Sequence, residues 1–161
     1  MVESGPISTQ AEPPLGIFQA RIEEKGRLKL PAALFEYLKK VGVQNVFITT
    51  VDMKLCRVYA KDAWQRNREF LQKGGDNTKD AQDIAFIADL YGAESDIDAH
   101  GRILVPQELR KKLELEGQQV WLQHYKDHIN VFGKKIHEER MQRALVGLED
   151  KVTALEKEGF K

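Results

Sequence analysis

Polar and apolar residues alternate with period two over Arg21-Ile22-Glu23 and again over Arg27-Leu28-Lys29-Leu30, which predicts short strands with Ile22, Leu28 and Leu30 turned into a core. Pro31 then opens a change of period. Leu34, Leu38 and Val41 recur at helical spacing, so a helix is expected over Ala32–Lys40 with Gly42 as its stop. Two further apolar runs, Val46-Phe47-Ile48 and Val58-Tyr59, flank a polar turn near Asp52-Met53-Lys54 and read as a hairpin.

The same series returns later in the chain. Gly26-Arg27-Leu28-Lys29-Leu30-Pro31 matches Gly101-Arg102-Ile103-Leu104-Val105-Pro106 at an offset of 75, and Ile22, Leu34, Leu38 and Gly42 match Ile97, Leu109, Leu113 and Gly117. Val46-Phe47-Ile48 matches Val120-Trp121-Leu122 at 74, and Val58-Tyr59 matches Val131-Phe132 at 73. Repeat two therefore predicts a helix over 107–116 and a hairpin turn near Lys126-Asp127-His128. A unit of about 45 residues is too small to close a core alone. Two copies in one chain can pair about a pseudo-twofold axis, which would bring the two Gly-Arg turns together on one face.

Helical segments follow each repeat. Asp62 starts one that carries Trp64, Phe70 and Leu71 and stops at Gly74-Gly75; a second from about Lys79 groups Ile84, Ile87 and Tyr91. After repeat two, Met141, Leu145, Leu148, Val152 and Leu155 are spaced 4, 3, 4, 3, a helix-packing seam expected to dock on the body or on a neighbour. The organisation expected is a disordered tail over 1–14, a first repeat over 15–61, a helical link over 62–89, a second repeat over 90–135 and a C-terminal helix over 136–161. The fold class is mainly β with flanking helices (α+β).

Charge refines this picture. The formal net charge is zero, but residues 1–80 carry a balance of +3 and residues 81–161 one of −3, so a polyanion is expected to favour the first half. The single Cys56 forms no intrachain disulfide and fits a reducing compartment; its place beside Leu55 on a strand suggests burial. No apolar run reaches the ~18 residues that span a bilayer. A cytoplasmic protein without a membrane partner is expected.

The first turn, Arg21 to Lys29, holds four cations at Arg21, Lys25, Arg27 and Lys29, an array suited to phosphates and base edges. Arg27 presents a planar fork that fits guanine O6 and N7, whereas Lys25 and Lys29 neutralise phosphates. The plain alternative is that Glu23 and Arg27 merely form a surface ion pair. Repeat two places Asp98, His100 and Arg102 at the same turn, so the acid-to-arginine spacing of four occurs twice. We expect Glu23 and Asp98 to hold Arg27 and Arg102 in one rotamer. His124 and His128 sit on a hairpin without a carboxylate cluster, and His137-Glu138-Glu139-Arg140 lacks a second histidine, so neither motif predicts a metal. Trp64 and Trp121 read as core or interface anchors. No Gly-rich phosphate loop or nucleophile elbow is present, and neither a cofactor nor an enzymatic activity is expected.

With its two acid-led Gly-Arg turns, each followed by a strand and Pro31 or Pro106, the chain resembles the MraZ family of bacterial transcriptional regulators, built from two AbrB-like (SpoVT-type) domains. The resemblance runs from about Leu15 to Leu148; Glu23 stands where the family has aspartate. It implies tandem half-motifs forming a swapped-hairpin β-barrel, a ring-shaped homo-oligomer, and nucleoid-associated binding to short direct repeats in the promoter of the division and cell-wall gene cluster, with repression of that cluster and of its own gene. It assigns DNA contacts to Arg27 and Arg102, supported by Lys25 and Lys29. Two other readings stand beside it: an AbrB-fold antitoxin-like regulator, and a structural or protein-binding ring without DNA specificity.

Overall fold

A computed structural model describes residues 11–161. Most of the expected N-terminal tail, residues 1–10, lies outside the described residues. The elements are β1 (Ile17–Arg21), β2 (Arg27–Lys29), α1 (Ala32–Lys40), β3 (Asn45–Thr49), β4 (Cys56–Ala60), α2 (Lys61–Lys73), α3 (Thr78–Tyr91), β5 (Ala93–Asp96), β6 (Arg102–Leu104), α4 (Gln107–Lys112), β7 (Gln119–Tyr125), β8 (His128–Phe132), α5 (Lys134–Leu145) and α6 (Leu148–Glu156). The fold is α+β, with antiparallel strands at its centre.

The repeats are interleaved rather than side by side. Six strands pair in the order β1-β7-β8-β4-β3-β5, and β2 pairs with β6 in a separate two-stranded ribbon. Thus β1 of repeat one lies on β7 of repeat two, and β5 of repeat two lies on β3 of repeat one. Equivalent residues face each other at two places, Leu28 opposite Ile103 and Arg57 opposite Asn130, so a pseudo-twofold axis passes through both. No ladder joins the outer strands β1 and β5 directly. The ribbon stands between them, tied to each by its turn: Glu23 N–H donates to Arg27 O (2.7 Å) and Asp98 N–H to Arg102 O (3.0 Å).

This interleaving gives both repeats one core. Ile22, Leu28, Leu30 and Leu34 pack with Ile103, Val105, Leu109, Val120 and Leu122 in a single buried cluster. Fully burying one such side chain is worth about 1.5–3 kcal/mol, so neither repeat retains this stabilisation when the other is removed. Trp64 joins a smaller cluster on the outer side of the sheet, its ring centroid 5.2 Å from Phe47 and 4.9 Å from Tyr59. The buried positions of α3 are Ala81 and Ala88 rather than the expected Ile84, which is exposed. The small side chains let the helix approach closely enough for Thr49 Oγ1 to donate to Ala88 O (2.7 Å).

The helices of the second half of the chain depart from expectation in two places. α4 ends at Lys112, not at 116, because Glu114 adopts a left-handed conformation (φ 56°) and Leu115 N–H turns back to Arg110 O (2.9 Å). The C-terminal seam runs through two helices instead of one, since Val146 is extended and Gly147 is left-handed (φ 62°). Its five apolar residues remain substantially exposed, so the seam does not dock on the body of this chain. The start of α5 does dock: His137 stacks parallel on Trp121 at 4.2 Å.

A second device, not evident from the motifs, locks the turns. Phe35 and Arg110 are equivalent positions on α1 and α4, and each lies over the other repeat's turn glycine, Phe35 on Gly101 and Arg110 on Gly26. The Arg110 side chain is buried, donates to Val105 O and pairs with Glu116 Oε1 at 2.7 Å, which satisfies its charge. Gly26 has φ +88° and a methyl there would collide with the Arg110 guanidinium, whereas Gly42 has φ +79° and open space around it. Gly42→Ala is therefore expected to cost only the backbone strain, about 1–2 kcal/mol, and Gly26→Ala clearly more. Urea unfolding midpoints of the two variants check this; equal losses would show that the Arg110 contact contributes nothing.

Candidate nucleic-acid interface

Antiparallel pairing of β2 with β6 decides which side chains share a surface. Leu28 and Ile103 enter the core, and the intervening positions turn outward with Arg27 opposite Leu104 and Lys29 opposite Arg102. Backbone bonds beyond the strands, Leu30 N–H to Gly101 O (2.8 Å) and Val105 N–H to Gly26 O (2.9 Å), extend the ribbon to both turns and hold it rigid. One narrow, solvent-facing surface therefore carries Arg27, Lys29 and Arg102, with Lys25 and His100 exposed on the turns at its two ends. Among the described residues Lys25, Arg27 and Lys29 form no ion pair. Arg21 lies one strand away, its Nη1 donating to Gly117 O at 2.8 Å.

The two acids do not act as their spacing suggested. Glu23 Oε1 accepts from Arg102 Nε at 3.0 Å, across the ribbon, instead of holding Arg27 within its own repeat. This contact raises the Arg102 pKa above its ordinary value, chiefly through the hydrogen bond and then through the charge of Glu23. Asp98 Oδ1 instead accepts the backbone N–H groups of His100 (2.8 Å) and Arg102 (2.9 Å), and so fixes the turn itself. Glu23 makes no such side-chain cap in repeat one, where both Lys25 (φ 65°) and Gly26 are left-handed. The extra methylene of glutamate suits the longer reach to the opposite arginine. The sequence gives no sign of this exchange, because it depends on the register of β2 against β6.

The remaining candidates lie elsewhere. His124 packs edge-on to Tyr37 at 5.3 Å, and His128 Nε2 donates to Asn130 Oδ1 at 2.8 Å. Burial, reinforced by the charge of Arg57, pushes His128 down to about 4, so it is neutral near pH 7. Among the described residues no group of three or more His, Cys, Asp or Glu stands close enough to hold a metal ion. Cys56 is buried as its strand position suggested, and burial raises its thiol to about 12. No helix among the described residues is long and apolar enough to cross a membrane.

The turn of repeat two should respond to acid. The backbone N–H of Arg102, and then that of His100, hold the Asp98 carboxyl below its ordinary range. A group whose pKa is depressed on folding contributes stability that is present above its unfolded value, about 3.9, and is lost as pH falls through the folded value. Asp98→Ala should accordingly lower the thermal midpoint at pH 7, and the gap to the parent protein should close as the pH drops below that range. A gap that stays constant with pH would contradict the assignment.

Comparison with known proteins agrees with the repeated turns. Residues 92–156 match a protein-family model described as "MraZ protein, putative antitoxin-like". The chain is 30% identical over 102 residues to a protein of Acidobacterium capsulatum named Transcriptional regulator MraZ, covering 63% of this chain and 70% of that protein. A protein of the same name from Heliobacterium modesticaldum is 35% identical, with 63% and 68% covered. A third, from Caldanaerobacter subterraneus, is 26% identical over 84% of this chain and 92% of its own length. With two intact Gly-Arg turns on an interleaved scaffold and relatives of this extent, the chain belongs to the MraZ family.

Proposed function

We propose that this protein is a sequence-specific DNA-binding transcriptional regulator, not an enzyme, and that it reads DNA with the outer face of the β2–β6 ribbon. The observation that carries this reading is the side-by-side placement of Arg27, Lys29 and Arg102 on a rigid two-stranded ribbon, an element that the major groove of B-DNA admits. Arg27, exposed and without an ion pair among the described residues, is the base-reading fork. Lys25 and Lys29 hold phosphates, and Arg102, aimed by Glu23, supplies the matching contact of repeat two, with His100 and Arg21 at the margins. The relatives named as transcriptional regulators support the same direction.

The finer reading is a cytoplasmic, nucleoid-associated repressor of the division and cell-wall gene cluster, including its own gene, that binds short direct repeats as a ring of identical chains. Two exposed apolar faces support the ring. Phe86 and Leu90 stand one turn apart on α3, and Met141, Leu145, Leu148, Val152 and Leu155 line α5 and α6. These are different surfaces, so pairing one with the other is head-to-tail, the arrangement that closes into rings. A neutral protein with one small cationic ribbon binds weakly on its own, and several ribbons in register with repeated sites multiply the affinity through effective concentration.

Arg27→Ala should weaken binding to the protein's own upstream DNA by on the order of 1–3 kcal/mol per lost base contact. It should also abolish most of the preference over a scrambled duplex across a salt series. Equal, feeble binding of the parent protein to both duplexes would favour a structural or protein-binding ring instead.

A further inference from the structure

The outer face of β2 and β6 carries four side chains, and the two repeats fill it differently. Arg27 and Arg102 are equivalent positions, but Lys29 of repeat one corresponds to Leu104 of repeat two. Leu104 is 51% exposed and lies outside the core cluster, which β6 enters through Ile103. Its neighbours on that face are all cations: Arg27 opposite it on β2, Arg102 two residues back on its own strand, and Lys29 on the diagonal. Core packing does not hold a half-exposed leucine there. Nor does the backbone require one, since lysine occupies the same place on the equivalent strand.

The position is also fixed in place. Leu104 N–H donates to Ser95 Oγ at 2.9 Å, and the same hydroxyl donates to Asp96 O at 3.0 Å, so β5 clamps this end of β6. Repeat one has Ala20 in place of Ser95 and no hydroxyl to do this, so the fastening belongs to the strand that bears the leucine. Directly opposed residues of an antiparallel pair stand about 4.5–5.5 Å apart at Cα, less than two base-pair steps of about 3.4 Å. Arg27 and Leu104 can thus reach the same base pair or adjacent ones.

Most groups that base pairs display in the major groove are hydrogen-bond donors and acceptors, and the apolar one is the thymine C5 methyl. We infer that Leu104 is a specificity-determining residue of the ribbon, which packs on the C5 methyl of a thymine beside the base that Arg27 reads; this rests on the proposed contact of the ribbon with DNA. A phosphate would leave a leucine at that place without a partner. The end of the ribbon with Arg27 and Leu104 then reads base edges, whereas the end with Arg102 and Lys29 keeps a phosphate contact. Unequal ends fix one orientation on the duplex, where a symmetric pair of ends would bind both ways.

Fluorescence anisotropy tests this with the full chain, Leu104→Ala, Leu104→Lys and Arg27→Ala on the protein's upstream duplex, the same sequence with deoxyuridine in place of every thymidine, and a scrambled duplex. Uracil pairs as thymine does and lacks only the methyl. The parent protein should bind the thymine duplex more tightly than the uracil one, by about fourfold for each methyl that it buries. In both Leu104 variants that ratio should fall toward one, while the preference for the upstream duplex over the scrambled one persists through Arg27. Leu104→Lys installs the side chain that the equivalent strand already carries, so its loss of the ratio is not a failure to fold. A ratio unchanged in both variants, or absent from the parent protein, with Arg27→Ala still losing selectivity, would overturn the role of Leu104 and leave the ribbon reading intact. A parent protein that does not distinguish the upstream duplex from the scrambled one would overturn the two together.

Discussion

The contact of Leu28 with Ile103 on the pseudo-twofold axis is the constraint on which the rest of the molecule depends. Both side chains are fully buried, and each comes from the strand that follows its own Gly-Arg turn. Bringing them together sets the register of β2 against β6. That register in turn decides that Lys29 stands beside Arg102 and that Glu23 reaches the arginine of the other repeat. The cationic face is therefore a product of core packing. A slip of one residue would turn the outward cations into the core, and burial of unpaired charge is far costlier than any single contact is favourable.

Duplication within one chain also permits the halves to diverge while the scaffold stays symmetric. Arg110 and Phe35 perform the same packing role over opposite glycines with different chemistry, one as a paired buried cation and the other as an aromatic ring. Turn two is fastened by the Asp98 carboxylate, whereas turn one relies on two left-handed residues and frees its acid for a distant partner. Symmetry in the backbone thus coexists with a cationic ribbon surface whose two ends differ in charge, hydrogen bonding and reach.

Much of this organisation was readable in the residues themselves. The repeated Gly-Arg-apolar-x-apolar-Pro segment predicted the paired turns on one face, and the period change at Pro31 predicted α1 as observed. Features that depend on long-range register were not readable. The Glu23–Arg102 pair and the Arg110 contact on Gly26 join residues 79 and 84 positions apart, and no local pattern specifies them. The break at Val146-Gly147 was masked because the 4-3-4-3 spacing continues across it, and a glycine inside a helical period is a weak signal by itself.

The most direct test of the central claim is acetylation footprinting of the lysines, read by mass spectrometry with and without upstream DNA. Lys25 and Lys29 lie on turn one and the ribbon, and Lys73 and Lys79 lie on the α2–α3 link. DNA is expected to shield Lys25 and Lys29 while Lys73 and Lys79 keep their reactivity. Unaltered reactivity of Lys25 and Lys29 in a saturated complex would contradict it.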